Sequence, residues 1–258
     1  MALAANLERE EQYFSSGVAV LAGMDEVGRG ALAGPVGVGL SLLRAGTGLG
    51  CLGLKDSKLL TARQRQLLLP DIQSWIFTSV AYASAAEIDQ LGIILALRLA
   101  GQRVLAQACR QAGQTRPDLL LLDGKHNWLS EPAAELLPTL DSRQQLYTRL
   151  LEEAWASQEP WFGPVQTIVK GDQSCASIAA ASIVAKVDRD KLMTDLNREY
   201  PGYDWDKNKG YGSAAHRRQL AERGPSPQHR LSWKIGAGVE KDPAPTHTGA
   251  AKQRRKHE

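Results

Sequence analysis

The stretch VAVLAGMDEVGRGALAGPVGVGLSL, residues 18–42, decides how this chain folds. Val18 to Met24 reads as a short buried strand that runs straight into Asp25-Glu26. Gly28, Gly30 and Gly34-Pro35 mark a tight connection, and Val36 to Leu42 reads as the antiparallel partner strand. An acidic pair at a strand end, followed by a glycine-rich loop, is placed where ligand sites collect in α/β sheets. Successive strand residues point to opposite faces, so Asp25 and Glu26 share one site only if the strand bends or ends there. The glycines that follow predict that it does.

Working outward, Thr61-Ala-Arg-Gln64 is a capping box that opens a helix expected to end at Pro70. Residues 75–83 are rich in β-branched and aromatic side chains and predict a third strand. Ser84-Ala-Ala-Glu87 opens a second helix, with apolar positions at Ile88, Leu91, Leu95, Leu99 and Val104, expected to stop near Gly113. Further strands are expected over 118–122 and 165–170, with helices around 141–158 and from Ser174 to about Asn197. Three strands followed by alternating helices and strands predict an α/β fold, a mixed β-sheet flanked by helices. The segment 125–164, with Trp128, Trp155 and Trp161, reads as a surface elaboration. Ser177, Ala180, Ala181 and Val184 form a small-residue stripe that lets the helix approach the sheet closely.

Composition narrows the class. Of 258 residues, 43% are hydrophobic and 23% charged, which is globular rather than disordered composition. No run approaches the roughly 18 apolar residues of a membrane-spanning helix, and the acidic N-terminal stretch lacks a signal-peptide pattern. Three separated cysteines offer no disulfide framework and no cysteine zinc site, so a reducing, cytoplasmic setting is expected. Net charge is +3, but residues 201–258 carry 12 of the 31 Lys and Arg against 6 of the 28 Asp and Glu. A basic C-terminal portion on a near-neutral body suits a polyanion such as nucleic acid. The expected organisation is an N-terminal extension (1–17), a catalytic domain (18–200), a small basic appendage that contacts substrate (201–240) and a disordered basic tail (241–258).

Asp25-Glu26, Asp123 and Asp172 each follow a predicted strand. Four converging carboxylates raise one another's pKa unless cations neutralise them, and oxygen-only ligands select Mg²⁺ or Mn²⁺. Two such ions would activate water and stabilise the leaving oxygen in phosphodiester hydrolysis. Asp188 and Asp190 compete for the fourth position, but both lie deep within a predicted helix. Glycines flanking Arg29 let backbone groups approach a ligand closely, and an RNA 2′-hydroxyl can be tested by such groups.

Five blocks in order, MDEVGRGALAGPV, GLKDSKLL, LLLDGK, VKGDQSCASIAAASIVAKVDRD and NKGYGSAAHR, resemble ribonuclease HII, the bacterial type 2 ribonuclease H. The resemblance runs from about Gly23 to His216 and implies a ribonuclease H-like fold. It implies endonucleolytic cleavage of RNA in RNA–DNA hybrids and incision 5′ to single ribonucleotides in duplex DNA, leaving 3′-hydroxyl and 5′-phosphate ends. By the same resemblance, Asp25, Glu26, Asp123 and Asp172 are the catalytic, metal-binding acids, holding two Mn²⁺ or Mg²⁺ ions with substrate bound. Gly28, Arg29 and Gly30 read the 2′-hydroxyl, Tyr211 packs on the sugar at the RNA–DNA junction, and Lys58 contacts phosphate. Lys55 and Ser57 are weaker phosphate candidates. Lys186 is read equally as a phosphate ligand or a structural lysine, and His216 as structural. The connection between Asp123 and Asp172 is longer than the family pattern implies. A monomer is expected, with no protein partner specified. The competing readings are another nuclease of the same fold and an inactive hybrid-binding module.

Overall fold

A computed structural model describes residues 4–130, 142–156 and 158–233. The elements in chain order are α1 (Glu8–Ser15), β1 (Val20–Val27), β2 (Val36–Arg44), α2 (Ala62–Trp75), β3 (Phe77–Ala83), α3 (Ala85–Leu91), α4 (Ile93–Gln111), β4 (Leu119–Asp123), α5 (Ser142–Trp155), β5 (Val165–Ile168), α6 (Gly171–Ser174), α7 (Ala176–Glu199), α8 (Trp205–Asn208) and α9 (Ala214–Arg223). Among the described residues, five strands form one sheet in the order β3-β2-β1-β4-β5. The β1–β2 and β2–β3 pairs are antiparallel, whereas β4 and β5 run parallel to β1. The sheet is therefore mixed, as the sequence predicts.

Strand alternation sorts side chains between two layers. Ala22, Met24, Val36, Val38, Leu40 and Leu42 pack with α4 and α5 in the larger core. On the opposite face lies α7, and the sheet is stripped of bulk to admit it. A Cβ at Gly23 would collide with the Ser177 backbone, and one at Gly39 with the Ala181 carbonyl. Ser41 Oγ donates to the Ser177 carbonyl at 2.8 Å across this close seam. The small-residue stripe thus meets a complementary glycine stripe.

The segment 1–17 contains α1, whose buried Glu10 accepts hydrogen bonds from Ser177 N (2.9 Å) and Oγ (2.7 Å). These bonds satisfy the first turn of α7, which its own N-cap residue Cys175 leaves without a side-chain cap. Beyond Pro201 follow α8 and α9, and Tyr203 and Trp205 pack against Ala33 and against Met193 of α7. The proposed tail, 241–258, and the last residues of the 201–240 unit lie outside the described residues.

Four expectations are corrected. Helix α2 runs through Pro70 to Trp75. Pro70 is exposed, so water can hydrate the carbonyl left without its helical donor. The helix opened by Ser84 breaks at Gly92, whose φ of 79° interrupts it between α3 and α4. Trp128, Trp155 and Trp161 are not surface elaboration. All three are buried in the main core, where Trp155 Nε1 donates to Gln102 Oε1 and Trp161 Nε1 to the Pro117 carbonyl. Finally, β1 does not end before the acidic pair. It continues to Val27, with Asp25 opposite Gly39 and Glu26 opposite Val38.

Candidate active site

That longer β1 fixes the site's geometry. Asp25 falls on the α7 face, beside the Ser182 hydroxyl, and its Oδ1 accepts from Glu26 N at 2.7 Å. Asp123 is the last residue of the neighbouring β4. Its Oδ1 accepts from Gly171 N at 2.7 Å and Asp172 N at 3.4 Å, which anchors the turn carrying Asp172. Asp25, Asp123 and Asp172 each bring a carboxylate oxygen to within 4.8 Å of the others.

Glu26 stands apart from that trio. As the next strand residue it points to the opposite face, where it meets Arg29 NH1 (3.2 Å) and Trp128 Nε1 (3.3 Å). Three carboxylates therefore converge, and Glu26 borders the same cleft from its rim.

The trio is electrostatically strained. Burial above all, then the charges of Asp123, Glu26 and Asp172, push the Asp25 carboxyl up to about 8, against the pull of Ser182. Burial likewise leads in raising Asp172 to about 7, with Asp123 and Asp56 adding to it and Lys58 opposing. Burial would lower Lys58, but Asp25, Asp56, Asp172 and Asp123 outweigh it and hold its ammonium above the usual value. Such a group of hard oxygen donors, short of positive charge, fits a divalent cation.

Around Asp25 opens a cleft of about 470 Å³ lined by Glu26, Gly28, Arg29, Gly30, Lys58 and Tyr211. Every substrate-binding residue named from sequence therefore borders one space. Ser57, Ser182 and Lys186 also line it, while Lys55 faces a neighbouring hollow. The rivals for the fourth acid are engaged elsewhere: Asp188 accepts from the Tyr82 hydroxyl, and Asp190 pairs with Lys186 and Arg65. His216 is buried, with Trp205 Nε1 and His229 Nε2 against its Nε2, a structural environment.

Sequence reasoning missed Asp56. It is buried, its Oδ1 accepts from Lys58 N at 2.8 Å, and it shares a hydrogen bond with Asp172. The sequence signal was available, since Asp-Ser-Lys before a turn of helix is a capping pattern. Its proximity to Asp172 is long-range and left no local trace.

A family profile described as Ribonuclease HII matches residues 22–118 and 141–235. A ribonuclease HII of Streptomyces avermitilis is 42% identical over 222 residues, covering 85% of this chain and 78% of that protein. One from Synechococcus sp. is 40% identical over 217 residues, covering 83% and 90% respectively. Among solved structures, ribonuclease H2 from Pyrococcus horikoshii superposes with a TM-score of 0.56 at 22% identity, covering 84% of this chain and 94% of that one. Bst-RNase HIII in complex with Mn²⁺ gives 0.57 at 19% identity, covering 84% and 68%. These two share the fold.

Proposed function

This chain belongs to the ribonuclease HII family and is a metal-dependent ribonuclease H; we propose that it incises 5′ to single ribonucleotides in duplex DNA, as well as cutting the RNA strand of hybrids, and so starts ribonucleotide excision. The observation that carries this reading is the single cleft bordered by Asp25, Glu26, the Gly28-Arg29-Gly30 loop, Lys58 and Tyr211, with Asp123 and Asp172 gathered beside Asp25.

In this reading Asp25, Asp123 and Asp172 hold Mg²⁺ or Mn²⁺, two ions when substrate is bound. Glu26 completes the acidic set from the rim, kept there by Arg29 and Trp128. Bound divalent ions supply a water nucleophile at neutral pH and neutralise charge on the leaving oxygen. Lys58 draws the substrate phosphate toward the acids, its charge secured by the carboxylates beneath it. Arg29, 42% exposed at its side chain, extends that positive rim.

Gly30 supports the assignment of a sugar-reading loop. A Cβ there would meet nothing of the protein within 4 Å, so the protein's own packing does not require a glycine. The space it leaves faces the cleft, where a ribose can approach the backbone. Tyr211, 39% exposed, offers a ring on which a deoxyribose packs and a ribose, with its added hydroxyl, does not. Polar testing of one sugar and steric testing of the next define a junction.

The test is incubation with a DNA duplex carrying one ribonucleotide, with and without Mg²⁺ or Mn²⁺, and the nick mapped at nucleotide resolution. One metal-dependent nick 5′ to the ribonucleotide, with 3′-hydroxyl and 5′-phosphate ends, is expected. Cleavage elsewhere, or none beside efficient cutting of a long hybrid, overturns the reading.

A further inference from the structure

Residues Ser226 to Arg230 belong to neither substrate-reading loop, yet they bond directly to one and reach the other through His216. Arg230 is fully buried, and its guanidinium is spent on backbone carbonyls. NH2 donates to Gly28 O at 2.7 Å, NH1 to Arg29 O at 2.8 Å, and Nε to Gly34 O at 3.1 Å. Its own N–H donates to the Leu32 carbonyl at 2.9 Å, and Gly34 N donates to Gln228 O at 2.8 Å. The loop that carries Gly28, Arg29 and Gly30 is thus clamped from below. A five-donor planar fork suits this role, and a lysine ammonium cannot span the same set of acceptors.

The neighbouring residue reaches the other loop. Ser226 N donates to His229 Nδ1 at 2.9 Å, so that nitrogen is the bare one and the neutral ring carries its proton on Nε2. That Nε2 lies 3.1 Å from His216 Nε2, which also receives Trp205 Nε1–H at 3.1 Å. His216 Nε2 is therefore an acceptor and its proton is on Nδ1, 2.9 Å from the Tyr211 carbonyl. The hydrogen bonds all run one way, from the Ser226 backbone through two imidazoles to Tyr211. Both rings are buried, and burial holds both below the ordinary histidine range, in the neutral form this chain of bonds requires.

We infer that Ser226–Arg230 is a latch that sets the register of both loops, with Arg230 positioning the 2′-hydroxyl-reading backbone and His229, through His216, positioning Tyr211. It rests on the roles given above to those loops. Neither residue borders the cleft, so both act as positioning residues. The two arms make separable predictions. A 2′-hydroxyl is read in every substrate, whereas Tyr211 matters most at an RNA–DNA junction.

The test measures kcat and KM on a single-ribonucleotide duplex and on a long hybrid, for wild type, His229→Ala, His229→Gln, Arg230→Lys, Tyr211→Ala and the His229→Ala/Tyr211→Ala pair. Misplacing a contact group by about 1 Å costs up to about 100-fold, so His229→Ala is expected to lower kcat/KM on the single-ribonucleotide duplex at least about 10-fold more than on the hybrid. His229→Gln, which keeps a donor toward His216, recovers most of that ratio. In the Tyr211→Ala background the ratio no longer responds to His229, because the interaction it served is gone. Arg230→Lys lowers both substrates together.

Equal losses on both substrates for His229→Ala, or a ratio shift that persists without Tyr211, overturn the latch. Should His229→Ala fail to fold, His229→Gln with and without Tyr211→Ala decides by the same ratio. Failure of both His229 variants to fold makes the residue a plain scaffold element and also overturns it. Wild-type protein that nicks neither substrate removes the function proposed above. Wild type that nicks both, with variants at the wild-type ratio, removes the latch alone.

Discussion

Replacing Asp25 with Asn should abolish cleavage and, without metal, make the protein more stable. The Asp25 carboxyl sits at about 8 in the fold, against 3.8 for the free side chain. Between those values the unfolded chain releases a proton that the folded chain keeps, and each pH unit of that mismatch costs about 1.4 kcal/mol. At pH 7 this reckoning gives up to about 4 kcal/mol, and sharing of the strain with Asp172 brings the expected gain for Asp25→Asn to about 2–3 kcal/mol. For a chain of this size that is a rise in Tm of about 5–10 °C. The sign is definite: a raised carboxyl favours the fold below the unfolded pKa and loses that contribution as pH rises toward 8. The assay is thermal melting in chelator at pH 4 and pH 7. Asp25→Asn should melt higher than wild type at pH 7 and close to it at pH 4, and saturating Mn²⁺ should narrow or reverse the pH 7 gap. An Asp25→Asn protein that melts at or below wild type in chelator at pH 7 refutes the strained-cluster reasoning.

Four further outcomes can be checked. Gly23→Ala should cost about 2–4 kcal/mol in urea denaturation, because its Cβ would collide with the Ser177 backbone; Gly30→Ala should stay within about 0.5 kcal/mol yet lose cleavage. Trp128→Phe removes the Nε1–H donor to Glu26, a bond to a charged group worth about 1.5–3 kcal/mol, and should lower kcat more than it raises KM. Unchanged kcat would mean Glu26 does not depend on Trp128. His229, held at about 4, contributes stability above its unfolded value near 6.5 that is lost as pH falls toward 4. The loss is up to about 3 kcal/mol, and a His229→Gln protein that folds should show a flatter acid limb in a pH series of melts.

Much of this was legible locally. Both capping boxes form as read, at Thr61 and Ser84, and β1 and β2 pair as the opening stretch predicts. The misreadings share a physical cause, since each was decided by tertiary contact. Pro70 within α2 is tolerated because its turn faces water. The tryptophans of 125–164 look like an insertion in sequence, yet the large core closes over them. The glycines after Glu26 read as a strand end, but pairing with Gly37–Gly39 carries β1 through to Val27 and turns Glu26 to the other face. Asp56 shows a capping pattern but nothing of its nearness to Asp172, and His229 and Arg230 leave no periodic or motif signal at all. Arg230 finds its acceptors about 200 positions away, at Gly28 and Arg29.

The central claim is that Asp25, Asp123 and Asp172 together hold a divalent cation. Mn²⁺ binding measured by calorimetry or electron paramagnetic resonance at pH 6 and pH 8 tests it most directly. Wild type should bind with proton release, and more tightly at pH 8, where the raised carboxyls have ionised. The Asp25→Asn/Asp123→Asn double variant, still folded, should not bind. Equal Mn²⁺ affinity in wild type and the double variant, or binding indifferent to pH across that range, would contradict the account.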